Sequence, residues 1–242
     1  MPILRTMSDL ARDRRAFLAG VTGSGLVLIS SAAHAAERAG AKPPRPAKGE
    51  DIPPTEDLMR EHGVLRRLLL VYDEAARRLA NGDGSVAPAV AGAAGIVRRF
   101  VEGYHEKLEE EFVLPTLEKA GQLVELAKVI RVQHAVGRKL TQAILAGATA
   151  GKLATAEGRR ALIADVQSFG RMYAAHAAWE DTEVFPAYRE RFSEAELDKL
   201  GDQFEEQEHK LLGGGGFEGS LREVADLEKT LGIHDLAKFT PA

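Results

Sequence analysis

The chain has 242 residues, of which 45% are hydrophobic and 6% aromatic, with a formal net charge of −4 and a pI near 6.0. This composition can bury one sizeable core, and its Ala, Leu, Glu and Arg content favours an all-α fold with one domain and appendages. The charge provides no basic surface for nucleic acid, and the lack of cysteine excludes disulfides, thiolate metal sites and iron–sulfur clusters held by cysteine.

Residues 1–35 are predicted to be an export signal. Arg14 and Arg15 precede Phe17-Leu18 and a mild apolar run, and the segment 33–35 has the small-x-small pattern of a cleavage site. The paired arginines resemble a twin-arginine signal, which predicts a periplasmic or otherwise exported protein. The alternative is an uncleaved anchor, but the run is short and polar for a span of ~20 residues. We therefore expect no stable membrane insertion after cleavage.

The next segments are predicted to be a linker and four helices. Residues 36–54 contain several prolines and no apolar periodicity, which is typical of a linker. The first helix is expected to begin with Thr55 as its N-cap and to end at Asn81-Gly82. Three more helices joined by short loops are expected at about 86–115, 122–145 and 155–191. Short loops favour antiparallel neighbours, so residues 55–192 are predicted to form an up-down-up-down four-helix bundle.

Residues 193–242 are predicted to be a C-terminal helical extension. Ser193 and Glu196 have the spacing of a capping box at the start of a fifth helix. The run Gly213–Gly216 is expected to be a flexible joint, since the Lys-Ser/Thr of a phosphate loop does not follow it. The tail Phe217–Ala242 is expected to be one amphipathic helix with an extended end.

Two histidine motifs each occur twice within the predicted bundle. The segments 105–115 and 176–186 both read His-x-x-x-Glu, with Val and Pro at matching positions downstream. The segments 61–68 and 133–140 each carry a single histidine, and the two kinds of motif recur with nearly equal offsets. Two copies of one helical hairpin predict a bundle with a pseudo-twofold repeat.

The repeated motifs supply a set of metal ligands. Residues four apart share one helix face, so each His-x-x-x-Glu unit directs an imidazole and a carboxylate inward. Any single such residue has an alternative explanation, as a core histidine or an exposed ion pair. Burying all of them without a metal would cost several kcal/mol. Neutral imidazole with carboxylate suits iron, zinc or manganese. The set is too large for one tetrahedral zinc and suits two octahedral metals: His62, His105, Glu109, His134, His176 and Glu180.

The paired His-x-x-x-Glu units with their downstream prolines resemble the hemerythrin-like family, also called the HHE cation-binding domain. The resemblance implies a four-helix bundle around a non-haem di-iron centre ligated at the six positions above, with zinc or manganese less expected. It implies binding of O2 or a related small molecule such as nitric oxide or peroxide, or iron handling. Arg138 stands where oxygen-carrying hemerythrins have a fifth histidine, which argues against simple reversible O2 carriage. Those proteins also use His-x-x-x-x-Asp, a spacing that Asp181 meets; the internal repeat nevertheless favours Glu180, with Asp181 second.

Several alternatives remain open from the sequence. His209 on the fifth helix reaches the metals if that helix folds back over the bundle, and otherwise belongs to a solvated face. Tyr104 and Tyr173 could hydrogen-bond a bound small molecule or simply pack. The competing functions are a di-iron oxidase or peroxidase, which tends to have more carboxylates, and a metal-free interaction module. No protein partner is predicted, and a triad hydrolase has no support.

Overall fold

A computed structural model describes residues 52–241 of the chain, and every regular element in this range is a helix. The predicted signal at 1–35 and the part of the linker before residue 52 lie outside the described residues. None of the described helices is long and apolar enough to cross a membrane.

The first arm of the bundle is the helix α1 (Pro54–Ala80). The prediction that Thr55 is its N-cap is wrong, because the N-cap is Pro53 and no side chain caps the helix. Pro54 instead occupies the first turn, where its missing N–H would be unpaired anyway and its fixed φ suits the helix. The buried face of α1 carries His62.

The second arm, residues 87–119, alternates between α-helix and π-helix. Pro115 does not end it, since the helix continues to Lys119. In an α-helix the proline ring would clash with the carbonyl four residues earlier, and the wider π turn just before it relieves that clash. After a 3-10 turn at Gly84–Val86, the arm consists of α2 (Ala87–Ile96), a π-helix (Val97–His105), α3 (Glu106–Leu108), a second π-helix (Glu109–Val113) and α4 (Leu114–Lys119).

The third and fourth arms lie within about two residues of the predicted helices. The third arm is α5 (Val124–Gly147), and a short helix α6 (Ala150–Leu153) follows it. The fourth arm, residues 156–189, again has a π-helix just before its proline, so the two halves of the repeat share the same irregularity. It consists of α7 (Ala156–Trp179), a π-helix (Glu180–Val184) and α8 (Phe185–Arg189).

The arms form the predicted up-down-up-down bundle with its pseudo-twofold repeat. The antiparallel course of the first and fourth arms is visible in their contacts: Tyr72 packs edge-on against Phe169, with ring centroids 5.5 Å apart. His62, ten residues before Tyr72, lies beside Glu180, which is eleven residues after Phe169. Moving backward along the first arm therefore means moving forward along the fourth. The core between the arms is built from buried aliphatic and aromatic side chains, including Leu65, Leu68, Phe100, Val166 and Phe185.

The C-terminal helices α9 (Glu194–Leu212) and α10 (Gly216–Leu231) cover the first and second arms. The predicted capping box at Ser193 is present. The glycine run takes a 3-10 turn in which Gly213 and Gly216 have φ of 69° and 43°, values that favour glycine. On α10, Glu228 accepts two hydrogen bonds from Arg67 at 2.8 and 2.6 Å, which fixes this helix to α1. A 3-10 turn at Leu236–Phe239 follows α10.

Candidate metal centre

The six predicted ligands lie together inside the bundle, although they come from all four arms. α1 and α5 contribute one histidine each, and the second and fourth arms contribute one His-x-x-x-Glu unit each. All six are almost inaccessible to solvent: His62 is 1% exposed, His105 3%, Glu109 1%, His134 0%, His176 3% and Glu180 0%.

The histidines form two pairs. In the first half-site, His62 and His105, the two Nε2 atoms lie 3.1 Å apart. In the second half-site, His134 and His176, they lie 3.3 Å apart. Two ligand atoms at right angles about one metal, each roughly 2.1 Å from it, would lie about 3.0 Å from each other. Each pair therefore has the spacing of two neighbouring ligands of one cation.

The two central carboxylates lie between the half-sites. Glu109 directs Oε1 to within 3.3 Å of His105 Nε2 and Oε2 to within 3.3 Å of His134 Nε2. Glu180 Oε2 lies 2.9 Å from His176 Nε2 and 3.3 Å from His62 Nε2. Each carboxylate thus approaches both half-sites, as a bridging ligand must.

All four oxygens of Glu109 and Glu180 are buried without a hydrogen-bond partner. Leaving a buried acceptor unsatisfied costs about 1–3 kcal/mol, and more when it is charged. In the metal-free protein, protons on the neighbouring imidazoles and carboxyls offset part of this cost. Cations placed between these oxygens and the Nε2 atoms would resolve it, so the residues present fit a two-metal centre.

The outer nitrogen of each imidazole is held by a hydrogen bond. The lone histidines are His62 and His134, which are not part of a His-x-x-x-Glu unit. The residue before each lone histidine accepts a hydrogen bond from the other histidine of the same half-site. The residue after each central glutamate accepts a hydrogen bond from a lone histidine. The four Nδ1–H donors and acceptors are His62 to Asp181 (2.7 Å), His105 to Glu61 (2.6 Å), His134 to Glu110 (3.0 Å) and His176 to Gln133 (2.9 Å). With Nδ1 committed as donor, each neutral ring turns an Nε2 lone pair toward the centre.

The comparisons with known proteins agree with this geometry. Residues 54–188, more than half of the chain, match the family model described as the hemerythrin HHE cation-binding domain. The chain belongs to this family. Uncharacterized proteins of Mycobacterium bovis and of the CDC 1551 and H37Rv strains of Mycobacterium tuberculosis are 46% identical to it over 209 residues, covering 83% of this chain and 82% of each relative. No solved structure matches the chain significantly.

Two positions were compared above with the oxygen carriers, Asp181 and Arg138, and the structure shows where both side chains lie. Asp181, the second candidate ligand, accepts from the outer nitrogen of His62 and from Arg66 rather than facing the centre. Arg138, at the position of the fifth histidine, donates to Glu106 at 2.7 Å and to Glu110 at 2.8 Å. Its cation therefore supports the carboxylates around the second half-site.

The two tyrosines have different surroundings. Tyr173 lies against His176, with ring centroids 5.2 Å apart, and its hydroxyl donates to Glu106 Oε1 at 2.6 Å. The hydroxyl occupies a notch at Gly137, where a Cβ would come within 2.0 Å of the phenol oxygen. Tyr104 is buried near Glu61 and packs against Phe100 in the core.

The ionisable groups show how strongly the buried charges interact. Burial alone would lower the pKa values of His105 and His134. Interaction with Glu109, helped by Glu61 at His105 and by Glu110 at His134, outweighs burial and raises the pKa of His105 well above its usual value and that of His134 to about 10. Burial lowers the pKa of His176 to about 4. Burial, followed by repulsion from Glu109, raises the pKa of Glu180 to about 7. Despite burial, His105 holds the pKa of Glu109 well below its usual value. Without a metal, protons on these groups balance the buried charge.

His209 does not join the six side chains. It is exposed on α9 and lines a surface cavity of about 690 Å³ together with the acidic residues Asp57, Glu205 and Glu208. Sequence reasoning missed the outer acceptors Glu61, Glu110 and Gln133, and with them Glu106. The first three are sequence neighbours of predicted ligands, so the repeat contained a signal for them.

Proposed function

We propose that the chain is an exported hemerythrin-like protein that holds a non-haem di-iron centre and binds O2 or a related small molecule such as nitric oxide or peroxide. One observation carries the proposal: two buried carboxylates without hydrogen-bond donors lie between four inward-directed imidazole nitrogens. Nitrogen and carboxylate donors favour iron, zinc or manganese over magnesium and calcium. Among these, iron supplies the redox chemistry by which such small molecules are bound.

The side chains have distinct roles in this proposal. His62 and His105 would hold one metal, His134 and His176 the other, and the two central carboxylates would bridge them. The outer hydrogen bonds fix each imidazole in the tautomer that presents Nε2 inward. Phe185 stacks on His62, with ring centroids 5.4 Å apart, and contributes to the apolar wall that keeps water from the centre.

Six protein ligands leave positions open on two octahedral metals. In this chain the side chain of Arg138 is directed to Glu106 and Glu110. It therefore does not take the coordination position that the fifth histidine occupies in an oxygen carrier. The second half-site consequently has fewer protein donors than in those carriers. We infer that a small molecule binds on this side of the centre.

A di-iron oxidase or peroxidase is the second candidate, and the pair formed by Tyr173 and Glu106 favours it. The phenol O–H donates to a carboxylate at 2.6 Å while its ring contacts His176. This arrangement can hold a proton at Tyr173 Oη or pass it to Glu106, directly beside the centre. Simple binding of a small molecule does not require such a pair.

Export is the part of the proposal that depends on residues 1–35. Replacing Arg14 and Arg15 by lysine removes the twin-arginine pattern. We expect the full chain to fractionate with exported proteins and the double variant to stay in the cytoplasm. Equal distribution of both chains would remove export from the proposal and leave the metal centre intact.

The test of the centre is metal analysis combined with an optical spectrum of the purified protein, reduced and then exposed to air. We expect about two irons per chain and a spectral change that reverses when the gas is removed. The variant His134→Ala should lose part of the iron, whereas the control His234→Ala, at an exposed histidine, should not. Irreversible oxidation with peroxide turnover would favour the enzyme, and protein that binds no metal would refute both functions.

A further inference from the structure

The two half-sites do not have equivalent outer partners. In the first half-site both acceptors are carboxylates, and their hydrogen bonds to the imidazoles measure 2.6 and 2.7 Å. In the second half-site one acceptor is the amide oxygen of Gln133, and the bonds measure 2.9 and 3.0 Å. Charge-assisted hydrogen bonds are shorter and about twice as strong as neutral ones. The imidazoles of the first half-site are therefore the more strongly polarised donors.

The internal repeat shows the one outer position at which the acceptor changes from a carboxylate to an amide. Asp181 with Arg66 in one copy corresponds to Glu110 with Arg138 in the other, and both carboxylates accept from a lone histidine and an arginine. The remaining outer contact is a carboxylate in one copy and an amide in the other. Glu61 and Gln133 stand at the same place in the repeat and differ in charge, not in length.

One further carboxylate, Glu106, lies near the second half-site. Its contacts explain why it does not replace the carboxylate acceptor that this half-site lacks. Its Oε1 accepts from Tyr173 and its Oε2 from Arg138, so both oxygens are occupied. It forms no hydrogen bond with an imidazole among the described residues. Arg138 is shared between Glu106 and Glu110, and it draws on the same oxygen of Glu110 that accepts from His134.

We propose that the two half-sites bind their cations with different affinities, and that the residue pair Glu61 and Gln133 sets the difference. The first half-site loads first and holds its cation tightly, whereas the second loads last and releases its cation first. A carboxylate behind a ligating histidine raises the basicity of the ring, and losing such a partner typically costs 10- to 100-fold in metal affinity. This inference rests on the proposed function, since it requires that two cations bind.

The experiment is an anaerobic titration of the full-length, metal-free protein with ferrous iron against a competing chelator. Wild type should bind in two steps whose affinities differ by roughly 10- to 100-fold. Gln133→Glu should strengthen the second step by about 10-fold, and Glu61→Gln should weaken the first by a similar factor. Both changes preserve side-chain size, and helicity by circular dichroism checks the fold. The control Gln167→Glu adds the same charge at an exposed position on α7 and should move neither step.

Repulsion between two neighbouring cations also produces two steps, and the variants separate the two causes. Repulsion predicts that neither substitution at 61 or 133 changes the gap, so unchanged steps in both variants would overturn the inference. His176→Ala should keep the tight step and His105→Ala should lose it; the reverse would also overturn it. If either alanine variant fails to fold, the size-matched pair still decides. Wild type that binds no iron would refute the proposed function itself, whereas two cations in one step would refute only the inference.

Discussion

The carboxylate of Glu180 is expected to destabilise the protein without metal and to stabilise it with metal. The side chain is fully buried, neither oxygen has a hydrogen-bond partner, and its pKa is raised from 4.5 to about 7. An acid whose pKa is raised by folding costs stability as the pH rises through its unfolded pKa, and the full cost is present above its folded pKa. At 1.36 kcal/mol per pKa unit, that cost approaches roughly 3 kcal/mol at pH 8.

The size-matched variant Glu180→Gln removes this charge. In chelator at pH 8 it should unfold at a higher temperature than wild type, by about 6–12 °C at 2–4 °C per kcal/mol. At pH 5 the gain should be small, because the wild-type carboxyl is then protonated in the folded protein. With ferrous iron the order should reverse, since the variant lacks one bridging ligand and gains less from binding. Glu183→Gln, an exposed position in the same π turn, is the matched control and should change neither value appreciably.

A less stable Glu180→Gln in chelator at pH 8 would refute this reasoning. It would mean that the carboxylate already accepts a hydrogen bond in the metal-free protein, from Nε2–H of His62 or His176. The unpaired oxygens would then no longer favour a metal. Thermal unfolding with and without iron, followed by circular dichroism, therefore tests the observation on which the proposed function depends.

Three other outcomes follow from single positions. Gly137→Ala should lower the free energy of unfolding by about 1–3 kcal/mol, because the new Cβ would lie 2.0 Å from the Tyr173 hydroxyl oxygen and 2.8 Å from a ring carbon. Adding Tyr173→Phe removes the hydroxyl but not the ring, so it should restore only part of the melting temperature. Burial, followed by repulsion from Glu61, raises the pKa of Asp57 from 3.8 to about 7. Asp57→Asn should therefore stabilise the protein at pH 8 by about 1–2 kcal/mol after solvent screening, as measured by urea unfolding. At pH 3.5 it should have no such effect, because the wild-type carboxyl is protonated in the folded protein. His134, with a pKa of about 10, carries a proton at neutral pH without metal. Iron binding should therefore release protons and strengthen from pH 6 to pH 8, which calorimetry in two buffers of different ionisation enthalpy measures.

The repeat is why so much of the bundle could be predicted from the sequence. Two copies of one hairpin gave the helix number, their antiparallel order and the inward faces, and the equivalence of Glu109 and Glu180 gave the register at the centre. Asp181 is one residue away from Glu180, and sequence spacing alone does not separate them. The structure distinguishes the two, since Asp181 accepts from His62 Nδ1 while Glu180 lies beside His62 Nε2.

The residues that accept hydrogen bonds from the outer imidazole nitrogens were not predicted from the sequence, because each contacts a histidine on a neighbouring helix rather than on its own. Glu61 serves His105 from a distance of 44 residues in sequence, and Asp181 serves His62 from 119. Periodicity shows only which residues share a face of one helix. It does not show which imidazole on a neighbouring helix a charged residue at the edge of that face will contact.

The π turns explain how two consecutive carboxylates can contact the two nitrogens of one imidazole. Glu109 Oε2 lies 3.3 Å from His134 Nε2, and Glu110 Oε1 lies 3.0 Å from Nδ1 of the same ring. The next copy does the same around His62, and in both copies a π-helix begins at the central glutamate. In an α-helix consecutive side chains point about 100° apart, whereas the wider π turn rotates less per residue and brings both carboxylates toward one neighbour. A proline follows each turn, and because it lacks an N–H and excludes the carbonyl four residues back, it disfavours regular α-helical geometry there. The matching prolines therefore contribute to the shape of the candidate metal centre.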